Sequence, residues 1–375
     1  MHIADATLFF APRSGGVRRY LECKHGYLTS IRGVRHSLVI PGPADTVKNG
    51  VVEIAAPRLP MAGGYRLPLR MGAWRDALCR LEPDLIEVAD PYHLAWASLS
   101  AAERLGVPAV AFAHSHLSRL LGSRFGRTVG LAADAYLREL YSRFDVVLAP
   151  CETVASHLRS TGLDNVEVQP LGVDADVFHP CRRDPDLRAL LGLSAGTRLL
   201  AYAGRMGREK SIPLLCSTVE RLGAPYHLLL IGARERRRVS ATVTELPFQR
   251  SARSLARLLA SADALLHAGQ QETFGLVFVE AMACGRPVVG VRAGAVAELI
   301  DHAVGRLADS GTVESLADAI RSLFDEDPET LGAAARQRVE RLFTWDRVFG
   351  AQLSRYARLA QIHLAGDPVL AEQSP

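Results

Sequence analysis

Residues 272–287 read Glu272-Thr-Phe-Gly-Leu-Val-Phe-Val-Glu280-Ala-Met-Ala-Cys-Gly285-Arg-Pro287. Gly285 and Pro287 form a helix stop, so the spacing predicts a short helix over Gly275–Cys284. Apart from Glu280 that helix is apolar all round, which places it inside the protein. A buried carboxylate is costly unless something hydrogen-bonds to it. Glu272 sits just before the helix, where free backbone N–H groups and the helix dipole favour an anion. The segment thus offers an anion-binding helix start, one acceptor beside it, and a buried acceptor about 12 Å further along the axis. Those parts suit a sugar–diphosphate–nucleoside.

Outward from this stretch, short apolar or β-branched runs alternate with longer amphipathic ones. Strands are expected at Ile3–Phe10, Ser37–Pro41, Leu85–Ala89, Ala109–Ala113 and Val146–Ala149, then at Leu199–Ala203, His227–Ile231, Ala264–His267 and Pro287–Val291. Helices are expected between them, at Val17–Thr29, Gly72–Leu81, Leu94–Leu105 and Phe125–Ser142 in the first half. Such alternation predicts an α/β protein with parallel sheets covered on both faces. The pattern restarts near residue 197, which argues for two doubly wound domains. The junction falls in Leu171–Thr197, where Asp174 and Asp176 lie among turn formers and read as a linker rather than a metal pair. Trp345–Ala365 reads as an amphipathic helix with Phe349, Leu353, Tyr356 and Leu359 on one stripe.

Composition narrows the class. The 375 residues are 48% hydrophobic, enough for two separate cores. A net charge of +4, with the basic residues scattered, suits anionic small molecules or an anionic membrane surface and argues against nucleic acid. The six cysteines show no CxxC spacing and read as structural thiols of a reduced, cytoplasmic chain. Asp5 interrupts the first apolar run, making it a poor signal peptide, and no 18-residue window is apolar enough to span a bilayer. Arg66, Arg70, Arg75 and Arg80 punctuate an apolar, helical region that fits anionic headgroups, although an ordinary solvated helix face explains it as well.

Three further motifs bear on chemistry. Ser14-Gly15-Gly16-Val-Arg-Arg-Tyr20 follows the first strand and opens the first helix, where glycines let backbone N–H groups approach an anion. Read alone it is equally a tight turn, and it is not a dinucleotide fingerprint. Gly204-Arg205-Met-Gly-Arg-Glu-Lys210 follows the first strand of the second half. There Arg205 can clamp phosphate oxygens and Lys210 adds a point charge. Phe112-Ala-His114-Ser-His116 ends another strand, with His114 at the crevice and no third residue spaced as a metal ligand. Asp90, after Ile86-Glu-Val-Ala89, is placed either to orient an acceptor hydroxyl or to cap the next helix.

Taken together, these residues resemble glycosyltransferase family 4, nearly along the whole chain. The resemblance rests on the Gly15-Gly16 turn, Gly172-Val-Asp174, Gly204-Arg205 with Lys210, and above all Glu272-x7-Glu280 with Ala281-Met-Ala-Cys-Gly-Arg-Pro-Val-Val. It implies a GT-B architecture of two Rossmann-like domains facing a central cleft. The expected acceptor-side domain is 1–175, with a C-terminal helix at 350–375 packing back on it, and the nucleotide-sugar domain is 176–349.

It also implies a retaining, mannosyltransferase-like enzyme that works without a metal or other cofactor. The enzyme would move a hexose from GDP-mannose, or next a UDP-sugar, to a glycan or lipid-linked acceptor, at most peripherally attached to the inner face of the plasma membrane. By the same resemblance Gly15 and Gly16 face the donor diphosphate, and Arg205 and Lys210 hold it. Glu272 binds sugar hydroxyls with the backbone amides of Phe274, Gly275 and Leu276, Glu280 binds the ribose, and His114 lies near the reacting face. The chain departs from the family at His267-Ala-Gly-Gln-Gln, where a Pro-Ser pair is usual, at Ala293-Gly-Ala, and at Ile231-Gly-Ala-Arg234. A nucleotide-sugar 2-epimerase of the same fold and a non-catalytic nucleotide-sugar-binding protein are the competing readings. Release of a free epimerised sugar without acceptor distinguishes the first. Retention of Arg205, Lys210 and Glu272 together speaks against the second.

Overall fold

The computed structural model describes residues 1–11, 15–59 and 64–361. Ser14 of the glycine turn, the expected helix beyond Gln361 and the C-terminal tail lie outside the described residues. The chain forms two compact units, one of residues 1–171 together with the chain from 345 onward, the other of residues 172–344.

The first unit holds β1 (His2–Ala6), β2 (Arg35–Gly42), β3 (Thr46–Lys48), β4 (Val51–Ala55), β5 (Leu85–Val88), β6 (Ala109–Phe112), β7 (Val146–Ala149) and β8 (Val166–Val168). They form one sheet in the order β3-β4-β2-β1-β5-β6-β7-β8, parallel except for the β3–β4 hairpin. Strands β5, β6 and β7 are buried at every residue, and β6 and β7 read as unbroken apolar runs while Glu87 alone interrupts β5: helices cover both faces of a parallel sheet.

The second unit holds β9 (Arg198–Ala203), β10 (Tyr226–Ala233), β11 (Arg237–Ser240), β12 (Val243–Pro247), β13 (Ala264–Leu266), β14 (Val288–Val291) and β15 (Gly305–Ala308), in the order β11-β12-β10-β9-β13-β14-β15. Only the β11–β12 pair is antiparallel. Leu200, Tyr202, Leu228, Leu230, Leu266 and Val289 belong to its core.

In each sheet the strand order reverses beside the first strand, between β1 and β5 in one unit and between β9 and β13 in the other. Ligands of open α/β sheets bind beyond the carboxyl ends of the strands at such switch points. The loop after β1 carries Gly15 and the one after β5 carries Asp90. The loop after β9 carries Arg205 and Lys210, and the one after β13 carries Glu272.

The helix expected over Phe125–Ser142 is present as Arg127–Tyr141, and a further helix that was not expected, Leu117–Phe125, precedes it. Gly126 separates the two with φ +98°, a backbone that glycine alone adopts without strain. The helical region expected around Arg66, Arg70, Arg75 and Arg80 begins only at Met71, so Arg66 and Arg70 precede it, and Arg66 Nη1 is spent on the Ala56 carbonyl at 2.6 Å.

The helix Trp345–Leu359 packs on the helix Gly16–Ser30 within the first unit. Its Trp345 and Phe349 rings stack at 4.8 Å, and Phe349 lies 5.6 Å from Tyr20. Beneath them is a buried polar cluster. Asp5 and Glu87 are register partners on β1 and β5, and the Lys24 ammonium sits 2.9 Å from each. Gln352 and Tyr356 reach down from the late helix to Glu87, and Tyr356 also takes a hydrogen bond from Lys24. Burial works against the charge on Lys24, but the two carboxylates outweigh it and raise its pKa. The Lys24 and His36 charges outweigh burial at Asp5 and lower its pKa, whereas burial dominates at Glu87 and raises it.

Candidate active site

The second unit gathers most of the expected site residues. The segment 272–287 folds as read: the helix runs Leu276–Ala283, with Gly275 before it at φ +82° and Gly285 after it at φ +69°. Glu280 is buried within that helix at 3% exposure. Phe274 is also buried, with its ring edge-on to Phe343 at 5.8 Å. Leu276 opens the helix, where the first N–H groups have no acceptor inside the ladder.

Glu272 is not a free acceptor beside this helix start. Lys210 Nζ pairs with its Oε1, and His267 Nε2 lies 3.2 Å from the same oxygen. The tautomer follows from the other ring nitrogen. Gly269 N–H donates to His267 Nδ1 at 3.1 Å, so Nδ1 is the acceptor and Nε2 carries the hydrogen that points at Glu272. Burial alone would raise the Glu272 pKa. The His267 hydrogen bond and the Lys210 charge overcome that and hold it down at about 2. The His267 ring is 2% exposed, stacked on Tyr202 at 5.5 Å and tilted against Phe278 at 5.1 Å. Tyr202 in turn donates its hydroxyl to the Arg205 carbonyl at 2.7 Å, tying down the loop that carries Arg205. The Arg205 side chain itself is 77% exposed and 3.5 Å from Glu209, so it is available to an incoming anion.

Glycines hold these loops together. A side chain on Gly232, where φ is +135°, would place its Cβ 1.9 Å from the Gly204 carbonyl oxygen, so the loop after β9 touches the end of β10 backbone to backbone. Gly294, at φ +54°, approaches the Glu272 carbonyl in the same way, and Ala295 N–H donates to that carbonyl at 3.4 Å. The departures from the family pattern at these positions thus keep the glycines that the geometry needs.

In the first unit, Gly15 precedes and Gly16 opens the helix Gly16–Ser30, both exposed. His114 stacks on Phe112 at 4.0 Å and meets Tyr20 at 4.9 Å. Burial, with the Lys24 charge nearby, pushes its pKa down to about 3, so the imidazole is neutral at ordinary pH. Asp90 does not cap the following helix. That helix starts at His93 with Tyr92 as its cap and no side-chain cap bond. Asp90 turns instead to the loop after β1, accepting from Leu8 N–H at 2.7 Å and from the Thr7 hydroxyl at 3.4 Å. Burial pushes its carboxyl up to about 6. Asp174 is the turn residue expected, accepting from the N–H groups of Asp176 and Val177.

His267 and Tyr202 are the site residues that sequence reading missed. His267 drew notice only as an unusual residue before Glu272; its position at the end of a switch-point strand was the available signal.

Two doubly wound units, one of them pairing Lys210 with Glu272 at its switch point, have the architecture of a GT-B glycosyltransferase. Residues 14–177 match the family model described as Glycosyltransferase Family 4, and residues 197–326 match Glycosyl transferases group 1. Along 98% of its length the chain is 32% identical to a GDP-mannose-dependent alpha-(1-6)-phosphatidylinositol dimannoside mannosyltransferase of Mycobacterium tuberculosis, covering 99% of that protein. It is 29% identical to a GDP-mannose-dependent alpha-mannosyltransferase of the same species, over 95% of this chain and 96% of that one. Among solved structures, the sucrose-phosphate synthase of Thermosynechococcus elongatus shares the fold with a TM-score of 0.80 at 20% identity, covering 96% of this chain and 99% of that one. Anabaena HepE in complex with UDP-glucose does so with a TM-score of 0.74 at 20% identity, over 95% of this chain and 100% of that one. The chain belongs to glycosyltransferase family 4 and is a nucleotide-sugar-dependent glycosyltransferase.

Proposed function

We propose that the enzyme transfers mannose from GDP-mannose, with retention of anomeric configuration, to a lipid-linked or glycan acceptor at the cytoplasmic face of a membrane. The observation that carries this reading is the Lys210–Glu272–His267 chain at the β9/β13 switch point. It sets an ionised acceptor for sugar hydroxyls against a cation suited to a departing diphosphate. The relatives that share the full length of the chain, named for GDP-mannose, support the choice of donor.

In this reading the acceptor hydroxyl attacks the anomeric carbon from the face that the diphosphate leaves. The bond from that carbon to the phosphate oxygen breaks, the new glycosidic bond forms, and the hydroxyl proton passes to a departing phosphate oxygen. The chief demand is stabilising negative charge on the leaving group. Lys210, already held by Glu272, supplies that together with Arg205 and the start of the helix Leu276–Ala283, without a resident metal. Glu272 holds the sugar hydroxyls, aided by the amides of Phe274, Gly275 and Leu276. Glu280 takes the ribose, and Gly15 and Gly16 admit the diphosphate. We assign a neutral His114 to the reacting face, where it adds no charge, and Asp90 to orienting the acceptor.

A melting-temperature panel of GDP, UDP and their sugars tests the donor, because a ligand bound only by the folded state raises the transition. GDP-mannose should stabilise most. Stabilisation by a UDP-sugar in its place would reassign the base. Proton NMR of the product should show an α linkage; a β linkage would overturn retention.

A further inference from the structure

The helical hairpin after β6 carries a surface that the donor chemistry does not use. Its helices, Leu117–Phe125 and Arg127–Tyr141, cross where Gly122 meets Gly130. A Cβ on Gly130 would lie 3.2 Å from the Gly122 Cα, so the two helices approach closely there. The inner side is anchored by Ala133, Leu137 and Leu140, all buried. The tip and outer side are not covered: Phe125 is 59% exposed, Leu131 58% and Leu120 42%. Burying such side chains is favourable, and their clustering at one tip marks an interaction site rather than scattered surface apolarity.

The charge around this patch identifies its partner. Residues 116–133 contain Arg119, Arg124 and Arg127 and no Asp or Glu. All three arginines are exposed, and among the described residues none reaches a carboxylate within salt-bridge distance. Nearby surface arginines behave differently: Arg143 pairs with Glu139 and Arg159 with Glu152. The Arg124 guanidinium lies over the Phe125 ring, 5.5 Å from its centre. Large apolar side chains ringed by guanidinium groups that no carboxylate neutralises match the boundary between acyl chains and anionic headgroups. Among the described residues no helix is long and apolar enough to cross a membrane.

We propose that the tip of this hairpin, centred on Phe125 and Leu131 with Arg119, Arg124 and Arg127, is the surface by which the enzyme docks on an anionic bilayer. The proposal deepens the membrane-facing reading above and rests on it. It moves the contact away from the Arg66–Arg80 stretch to the segment that begins just beyond His114 at the carboxyl edge of the first sheet.

The test is co-sedimentation of the full chain with vesicles of phosphatidylcholine alone and of phosphatidylcholine with an equal part of phosphatidylglycerol. Binding only to the anionic vesicles, weakened by salt, is expected. Phe125→Ser with Leu131→Ser should lower partitioning about tenfold. Arg119→Gln with Arg124→Gln and Arg127→Gln should lower it roughly 100-fold. Arg75→Gln with Arg80→Gln should leave it unchanged. Melting curves confirm folding, which these exposed positions should not disturb. GDP-mannose stabilisation, measured without vesicles, should survive in every variant. Undiminished pelleting of the hairpin variants, loss with the Arg75 and Arg80 pair, or no pelleting of the folded parent would each overturn the docking surface. So would self-association or capture of a protein through the same tip with no vesicle binding. Loss of GDP-mannose stabilisation in the parent would instead overturn the donor reading and leave the docking result standing.

Discussion

Replacing His267 by phenylalanine would keep a ring packed between Tyr202 and Phe278 while deleting both nitrogens. Glu272 would lose the donor 3.2 Å from its Oε1 and keep Lys210. A hydrogen bond to a charged group is worth roughly 1.5–3 kcal/mol. One pKa unit is about 1.36 kcal/mol, so the Glu272 carboxyl should rise by about 1–2 units from its present value of about 2. The orphaned Gly269 N–H adds a stability cost of about 1–3 kcal/mol. Calorimetry with GDP and with GDP-mannose separates the consequences. Glu272 is assigned to the sugar, so GDP-mannose should bind about tenfold more weakly, the equivalent of about 1.4 kcal/mol, while GDP binds as before. The acid limb of kcat/KM should move to higher pH by the same 1–2 units, roughly. Equal losses for both ligands, or an unmoved acid limb with a folded protein, would refute the positioning role.

Three other outcomes follow from the same geometry. Lys210→Ala removes the cation assigned to the leaving group and should cut kcat by about 10²–10³ with the fold retained, as single-turnover kinetics and a melting curve would show; unchanged turnover counts against that assignment. Gly232→Ala forces a methyl into the Gly204 carbonyl at 1.9 Å and should cost about 1–3 kcal/mol in urea unfolding, so a neutral result would mean that the loop after β9 parts freely from β10. The folded-state pKa of Glu272 is depressed from 4.5 to about 2, so its contribution, about 3 kcal/mol, is complete above pH 4.5 and is lost as pH falls toward 2. Glu272→Gln should flatten that part of the acid-stability curve, and an unaltered slope would place the protons elsewhere.

Much of the fold was legible because parallel strands buried on both faces are continuous apolar runs, and β7 was expected at the bounds observed. The helix after Glu272 was legible because glycine and proline punctuate it. The β3–β4 hairpin was missed although its signal was present. Asn49-Gly50 adopts φ +49° and +76°, the backbone of a two-residue hairpin turn, between the three exposed residues Thr46–Lys48 and the β-branched run Val51–Ala55. The helix Leu117–Phe125 was missed as well, although Gly126 marks its end. The position of His267 was not legible, because its contact with Glu272 belongs to a loop without period. Nor was the role of Lys24. A lysine on an amphipathic helix reads as solvated, and its partners lie on β1, β5 and a helix more than 300 residues later.

That last contact has a bearing on biosynthesis. Asp5, Lys24 and Glu87 leave the ribosome early, whereas Gln352 and Tyr356, which close over them, emerge only after residues 172–344 have been made. The later-coded unit is contiguous and can complete its core while the earlier-coded one still waits for its final helix. A nascent chain whose residues up to 344 have left the ribosome, but whose last helix has not, can therefore carry a finished second half and an open first half, with water reaching the lysine that the mature enzyme seals away.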